Sequence, residues 1–516
     1  MAKGRTTGRK PGPTRVLSQA DVERMLDDFE GALLGGDGAA VPGLVERLWQ
    51  VRSRLPEPLT RRLIDGRTQV PGLLLELLGG FAGGRARTYF RRIAESRDAP
   101  DITRFGAQRR AGWPERGEAK KRRAFLETLR DADGTLVEAV EQGTEGWPPS
   151  GDVLQEVVGY LLALPAARQR ALIERAVEGL GARAAWLLYA LLHVDAPEIQ
   201  RLALGELVRL RAPGAAGPIG RLGKTTRHPD LRAEAGAAVQ RLGLQVVDRR
   251  APAESLPLPP IDRALLSLVD GDGGQVILVV RRLQDGPLLM ADIFWNDHWG
   301  IKSAFGASRA APDVVEEIVE GLEDEGIALV EADLAAVRGA LAAALEVNAA
   351  SGHGLPPEFE LWEPLVHDAY PPPSGEPLAV PELDDGPYLG RRELVRSSGR
   401  LADHPFFESW GFDAASTSYA MLGTPPPSGS RWTDRQYRPL IEQLVDSGAG
   451  ARLRQRLRRQ AWVLEQDGDT EARDLALATA AQLAGADSAD LVKQPFLRRL
   501  VERSVMKMIG AMFSGI

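Results

Sequence analysis

Apolar residues recur at intervals of three and four over most of the chain and change to short continuous runs only near its middle. That change of period separates helical from extended segments. The stretch "QADVERMLDDFEGALL" places Val22, Met25, Leu26 and Phe29 on one helical face, with Ser18 positioned as its N-cap. From there to about residue 250, helical segments follow one another with short Gly- and Pro-containing breaks. The most apolar of them, "AAWLLYALLHV" at 184–194, reads as a buried helix, being about half the roughly 18–20 residues that a bilayer span needs.

Pro165, Pro197 and Pro229 are spaced 32 residues apart, and each opens a helical segment. Aligned at that offset, Glu198 matches Asp230, Ile199 matches Leu231, Ala203 matches Ala235, Leu207 matches Val239 and Leu210 matches Leu242. An acid in the first turn complements the helix dipole, a small residue lets helices approach, and spaced aliphatics bury one face. The segments "PEIQRLALGELVRL" and "PDLRAEAGAAVQRLG" resemble the second helix of HEAT-like repeats, over about residues 165–243 and, by extension, the helical region from residue 18. The resemblance implies an α-solenoid, a fold that presents an extended surface to a macromolecular partner. An irregular helical bundle is the alternative that the same periodicity allows.

Beyond the proline-rich stretch 248–260 the period shortens. "RALLSLVD", "QVILVVRR" and "LLMADIFWND" are strand-like runs separated by the turn chemistries "GDGG" and "QDGP", which predicts a three-stranded antiparallel meander. Two helices follow: "PDVVEEIVEGLEDEG", with Pro312 in its first turn, and a second from about Glu331 to Asn348 with Leu334, Val337, Leu341 and Leu345 as its stripe. Both are expected on one face of the sheet. The segment "VILVVRRLQDGPLLMADIFWNDHWGIKSAFG" also resembles a β-meander domain of uncharacterised bacterial proteins, and that resemblance implies no activity. The expected fold is therefore mainly α. A basic tail (1–17) precedes a HEAT-like helical array (18–247), a linker (248–260), a small α+β module (261–368), a second linker (369–387) and a helical C-terminal region (388–516) interrupted by "GTPPPSGS" at 423–430.

Composition narrows the chemistry. The chain has 516 residues, 44% of them hydrophobic and 26% charged, as in a soluble globular protein of several domains. It has no cysteine, which removes disulfides, thiolate nucleophiles and sulfur-ligated zinc, and suits a reducing cytoplasm. The basic N-terminus lacks the apolar core of a secretory signal. A net charge of -7 argues against wholesale nucleic-acid affinity. Only eight of the 64 basic residues are lysine, a bias typical of GC-rich bacterial genomes, so an arginine run carries less information than usual.

Several motifs dissolve on inspection. "GPIGRLGKTTRH" lacks the glycine a P-loop needs five positions before its Gly-Lys-Thr; Pro218 stands there without an amide hydrogen, so the segment reads as an inter-helix loop. "DGDGGQ" lacks the ligands of a calcium loop and reads as a hairpin turn. The histidines at 193, 228, 353, 367 and 404 show no metal-ligand pairing, and no nucleophile elbow or dinucleotide fingerprint is present. No cofactor or metal is expected. In "RLRQRLRRQ", Leu453 and Leu457 dock inward while Arg452, Arg456 and Arg459 share a face. Those arginines could grip phosphates, but "EQLVD" and "EQDGDTEARD" flank them with carboxylates, so a solvated, ion-paired face is favoured, as it is for "KKRR" at 120–123.

"IFWNDHWGIKSAFG", at 293–306, is the most chemically loaded stretch. On a strand, Asp292 and Asn296 share a face but lie roughly 13 Å apart, too far to hold one metal ion. The reading favoured over a site is a junction in which Asn296 or Asp297 caps a short helix with Ile301, Ala304 and Phe305 inward and Gly306 at its end. Asp292, Asn296, His298, Trp299 and Lys302 then form a candidate contact surface. The expected function is protein recognition or scaffolding in the cytoplasm, with no membrane partner. The alternatives are nucleic-acid binding, as in HEAT-like DNA glycosylases, and an enzymatic site around Asp292, Asn296 and His298.

Overall fold

In the computed structural model the chain is mainly helical, with one antiparallel five-stranded sheet near its middle and helices again at its C-terminal end. The structure describes residues 18–37, 39–112, 119–212, 214–247, 256–370, 378–412, 432–446, 449–484 and 488–514. The tail 1–17, residues 248–255 and 371–377 of the expected linkers and "GTPPPSGS" lie outside the described residues. Among the described residues no helix is long and apolar enough to cross a membrane. Two compact units divide the chain: residues 1–139 with 159–172, and residues 140–158 with 173–516.

In the first unit, helix α1 (Gln19–Leu34) starts at a capping box: Asp21 N–H donates to Ser18 Oγ (3.2 Å) and Ser18 N–H donates to Asp21 Oδ2 (2.8 Å). Its Val22, Leu26 and Phe29 enter a core shared with Leu48, Leu63, Leu78 and Ile93 of the following helices. Within the "KKRR" segment, Arg123 donates to the Ala163 carbonyl at 2.9 and 3.2 Å.

In the second unit, α2 (Pro197–Leu210), α3 (Ala216–Thr225) and α4 (Pro229–Val247) alternate as sequence pattern predicts, with Pro197 and Pro229 as first helical residues. Ile199 and Leu231 are buried at matched positions, as are Ala203 and Ala235. The match loosens further on, where Leu207 is buried but Val239 is half-buried. "GPIGRLGKT", expected as a loop, belongs to α3 instead. Pro218 falls in the first turn, where a missing N–H costs nothing, and Ile219 and Leu222 are buried.

Seven strands are present among the described residues: β1 (Leu256–Pro257), β2 (Ile261–Ser267), β3 (Gly274–Arg282), β4 (Leu288–Asn296), β5 (Gly300–Ala310), β6 (Leu329–Glu331) and β7 (Ala369–Tyr370). β1 pairs only with β7, and the other five form a sheet of order β5-β4-β3-β2-β6. The expected meander is thus its centre, extended by a strand on each side. Helix α5 (Pro312–Asp324) presents Val315 and Val319 to the face carrying Leu265, Leu278, Val280 and Met290. The expectation that both helices share this face is wrong. Helix α6 (Leu334–Ser351) crosses the other face beside the segment that begins with α7 (Phe359–Trp362) and runs on to Val366. The reason lies in β3, where Val276 to Val280 are all buried, so both parities of the strand need apolar cover. α6 also starts three residues later than expected, capped by Asp333, whose Oδ1 accepts from Ala336 N–H (2.7 Å), because Leu329–Glu331 pairs with β2.

C-terminal to the sheet, α8 (Arg392–Ser397), α9 (Ala449–Asp467), α10 (Thr470–Leu483) and α11 (Pro495–Ser514) surround a core of Phe407, Trp410, Leu457, Leu464, Leu475 and Phe496.

The largest departure from the sequence pattern is at "NDHWGIKSAFG", which forms a hairpin turn and a strand, not a capped helix. Residues 297–299 link β4 to β5, with Asn296 paired to Gly300. Asn296 does cap backbone amides, but those of a turn. Ile301 and Ala304 are buried and Phe305 is exposed, because strand geometry sends adjacent side chains to opposite faces. Gly306 ends no helix; it seats the ring of Trp362, which a Cβ would approach to 2.3 Å. Gly300 decides the turn, with φ at +82° and a Cβ position only 2.2 Å from Asn348 Oδ1. Gly300→Ala is expected to cost at least about 2 kcal/mol, combining left-handed strain with a displaced buried amide. Urea denaturation measures this, and an unchanged midpoint contradicts it.

Candidate functional site

The tip of the β4–β5 hairpin is held from two sides. Asn296 Oδ1 accepts from the amides of His298 (3.2 Å) and Trp299 (2.9 Å), which closes the turn. From beneath, Asn348, fully buried on α6, accepts the Ile301 amide through Oδ1 at 2.7 Å. Its Nδ2 donates to the carbonyls of Trp299 (2.9 Å) and His353 (3.3 Å). An amide side chain suits this place because it offers both donors and acceptors to a backbone that has turned away from its own ladder. The backbone of Trp299 is therefore fixed while its indole remains 48% exposed. His353 stacks on that ring at 5.2 Å and 22°. Lys302 Nζ lies 4.5 Å from the same ring's centroid and 5.7 Å from that of Phe294.

The five residues expected as a contact surface separate by role. Trp299 and Lys302 share the exposed aromatic rim, and Asn296 is buried as its support. His298, with its side chain 45% exposed, turns to Arg456, with Nε2 3.1 Å from Nη2. Asp292 lies on the sheet between Leu278 and Phe305, and makes no hydrogen bond or ion pair among the described residues. Burial pushes its carboxyl up to about 6. An active site built on Asp292, Asn296 and His298 needs the three to converge, whereas each faces different neighbours.

The arginines of α9 are not a solvated face. Arg456 makes a two-pronged ion pair with Asp297 (2.6 and 2.8 Å) and donates to the carbonyls of Gly271 and Asp272. It thereby joins the two hairpin turns at this end of the sheet. Arg459 is buried, with its guanidinium 4.4 Å from the Trp295 ring centroid and Nη2 3.1 Å from the Gly273 carbonyl. Burial lowers its pKa to about 10, against the pull of Asp297, so it stays charged at neutral pH. Neighbouring Arg454 and Arg458 pair with Asp385 and Glu382. The carboxylates that satisfy this helix thus come from distant loops, not from the acids flanking it in sequence. Arg452 has no ion pair or hydrogen bond among the described residues. It lines a cavity of about 170 Å³ with Asp272, His298, Trp410, Leu453 and Arg456.

Sequence reasoning missed the most strongly interacting ionisable cluster. Arg221 of α3 donates through Nε to Glu360 Oε1 (2.9 Å) and through Nη2 to Glu360 Oε2 and Glu363 (3.2 Å). His193 Nε2 lies 2.9 Å from Glu360, and His367 Nε2 lies 3.0 Å from Glu363. Burial raises the pKa of Glu360, yet Arg221 and His193 together hold it below the ordinary carboxylate range. Glu363 is lowered in the same way by Arg221 and His367. Two histidines without metal-ligand spacing in the sequence therefore converge, but with a guanidinium at the centre of the group. Among the described residues no three His, Asp or Glu side chains could hold a metal ion. A usable signal existed in the spacing of Glu360, Glu363 and His367, three and four apart on one face of a helical turn.

No protein-family model, curated protein or solved structure matches the chain.

Arg221→Met is expected to destabilise the protein by about 3–5 kcal/mol at pH 7, because it takes the one guanidinium away from two buried carboxylates and leaves each with a single histidine contact. Without Arg221 their folded pKa values rise above the unfolded ones, so the penalty fades as pH falls and they protonate. Denaturation of both proteins at pH 7 and pH 5 reads this, and a gap that does not narrow contradicts it. For Asp292 the shift from 3.8 to about 6 makes its ionised form unfavourable in the fold. Asp292→Asn should therefore leave stability unchanged below about pH 4 and raise it by about 1–2 kcal/mol at pH 8, after discounting for partial exposure. A pH-independent effect in the same denaturation series overturns that cause.

Proposed function

We propose that this chain is a recognition protein, whose partner is another protein contacted through the rim of the β4–β5 hairpin. The observation that carries this reading is Trp299: a half-exposed indole on a backbone fixed by Asn296, Gly300 and Asn348. A large aromatic that is already ordered loses little entropy on binding, and such residues dominate the energetics of protein interfaces. Phe305, 42% exposed, and Lys302 extend the surface along β5. The 32-residue offset between α2 and α4, with α3 between them, supports a HEAT-like arrangement of these helices, a fold whose usual work is presentation of a surface. For nucleic-acid binding the support is thinner, since Arg456 and Arg459 are engaged inside the molecule and Arg452 alone of the three is unpartnered.

Replacing both His298 and Trp299 with alanine is expected to leave the unfolding midpoint within about 1 kcal/mol of the parent, as surface substitutions do. It should also abolish co-purification of a protein partner from cells of the native host. Co-purification that survives the double substitution, or recovery of nucleic acid in place of protein, overturns the proposal.

A further inference from the structure

A second surface lies away from the hairpin, in the C-terminal helices. Tyr388, Leu389, Val395, Ala478 and Ala481 line a groove of about 450 Å³ between the short helix α8 and the last turns of α10. That volume falls in the range of roughly 300–1,000 Å³ typical of ligand-binding clefts. The floor is made by Ala478 and Ala481, both buried, whose methyl groups leave the groove its depth. Leu389 stands on the rim at 72% exposure, the most exposed large hydrophobic side chain among the described residues.

The charges around the groove are unbalanced. Arg392 and Arg396, one helical turn apart on α8, both line it. Neither makes an ion pair or hydrogen bond through its side chain among the described residues, and the same is true of adjacent Arg391. Several other arginines of the same unit find acids, although Arg452 does not: Arg400 pairs with Glu471, Arg454 with Asp385 and Arg473 with Asp474. The whole chain carries 71 acidic against 64 basic residues, so lack of acids does not explain the vacancy. Glu393 on α8 and Asp490 in the groove wall offset part of this charge locally.

From these features we infer that the groove docks an acidic amphipathic segment of a partner protein. Its apolar side chains cover Leu389 and Val395 above the alanine floor, and a carboxylate one helical turn away meets Arg392 and Arg396. A planar guanidinium pairs a carboxylate through two parallel hydrogen bonds, so the two arginines also set the orientation of the segment. The exposed rim favours a peptide over a fatty acid, because an acyl chain gains most where walls surround it and Leu389 stands open to solvent.

The test uses the full chain and a fluorescein-labelled helical 14-residue probe with leucines on one face and glutamates beside them, followed by anisotropy. The expected result is saturable binding that weakens at least about ten-fold when glutamine replaces the glutamates, since hydrogen bonds between ionised partners are the stronger ones. Arg392→Gln with Arg396→Gln should reproduce that loss, and Leu389→Asp should weaken both peptides alike. Trp299→Ala should change nothing, which separates this groove from the hairpin surface. No saturable binding by the glutamate probe, equal binding of the two probes, or binding indifferent to the arginine pair overturns the inference. These side chains lie on the surface, and far-ultraviolet circular dichroism checks that each variant folds.

Discussion

The central strands of this protein are buried on both faces, and most of the polar architecture follows from that. Once Val276 to Val280 are covered above and below, each strand end that leaves the ladder needs partners in a nearly dry environment. The structure meets the requirement with side chains from distant segments. Arg281 donates to the carbonyls of Leu365, Pro259 and His367. Gln460 of α9 accepts the Val269 amide at 2.7 Å, and Trp410 donates to the Val269 carbonyl at 2.8 Å. Asn348 does the same for the β4–β5 turn, and Arg456 for both turns at that end.

One consequence links packing to function. A hairpin tip is ordinarily among the more mobile parts of a fold. Here the tip is anchored by a buried amide and a two-pronged ion pair, while the indole and lysine above them stay exposed. Rigidity comes from below and chemistry faces outward, which is the arrangement a preorganised contact needs. The buried Arg221–Glu360–Glu363 group belongs to the other side of this division: with His193 and His367 it satisfies its carboxylates within the protein, and it ties α3 to the segment after α6.

Local signals in the sequence are reliable where a single element satisfies itself. The cap at Ser18, the prolines that start α2 and α4 and the turns at Gly273 and Gly286 all appear as the pattern predicts. Errors arise where a distant partner decides the outcome. "NDHWGIKSAFG" carries helix-compatible residues, and only Asn348, more than forty residues on, makes Gly300 the start of a strand. The arginines of α9 look solvent-facing until Asp297, Asp385 and Glu382 arrive from other loops. Arg221 sits in a segment whose resemblance to a phosphate loop draws attention away from it, and its carboxylate partners lie 139 and 142 residues further along. Of the candidate site, Trp299 and Lys302 were legible as exposed chemistry; the support beneath them was not, since one buried asparagine on an alanine-rich helix gives no periodic signal.

Held by the Asn296 and Asn348 bonds, the hairpin tip is rigid beneath an exposed indole. Native-state hydrogen exchange of the Trp299 and Ile301 amides tests it most directly. The Asn296 and Asn348 bonds predict protection close to that of the β3 and β4 amides, together with ready quenching of Trp299 fluorescence by iodide in a variant that retains it as the sole tryptophan near the surface. Exchange of both amides at the rate of an unstructured loop, with the core strands still protected, would contradict the account.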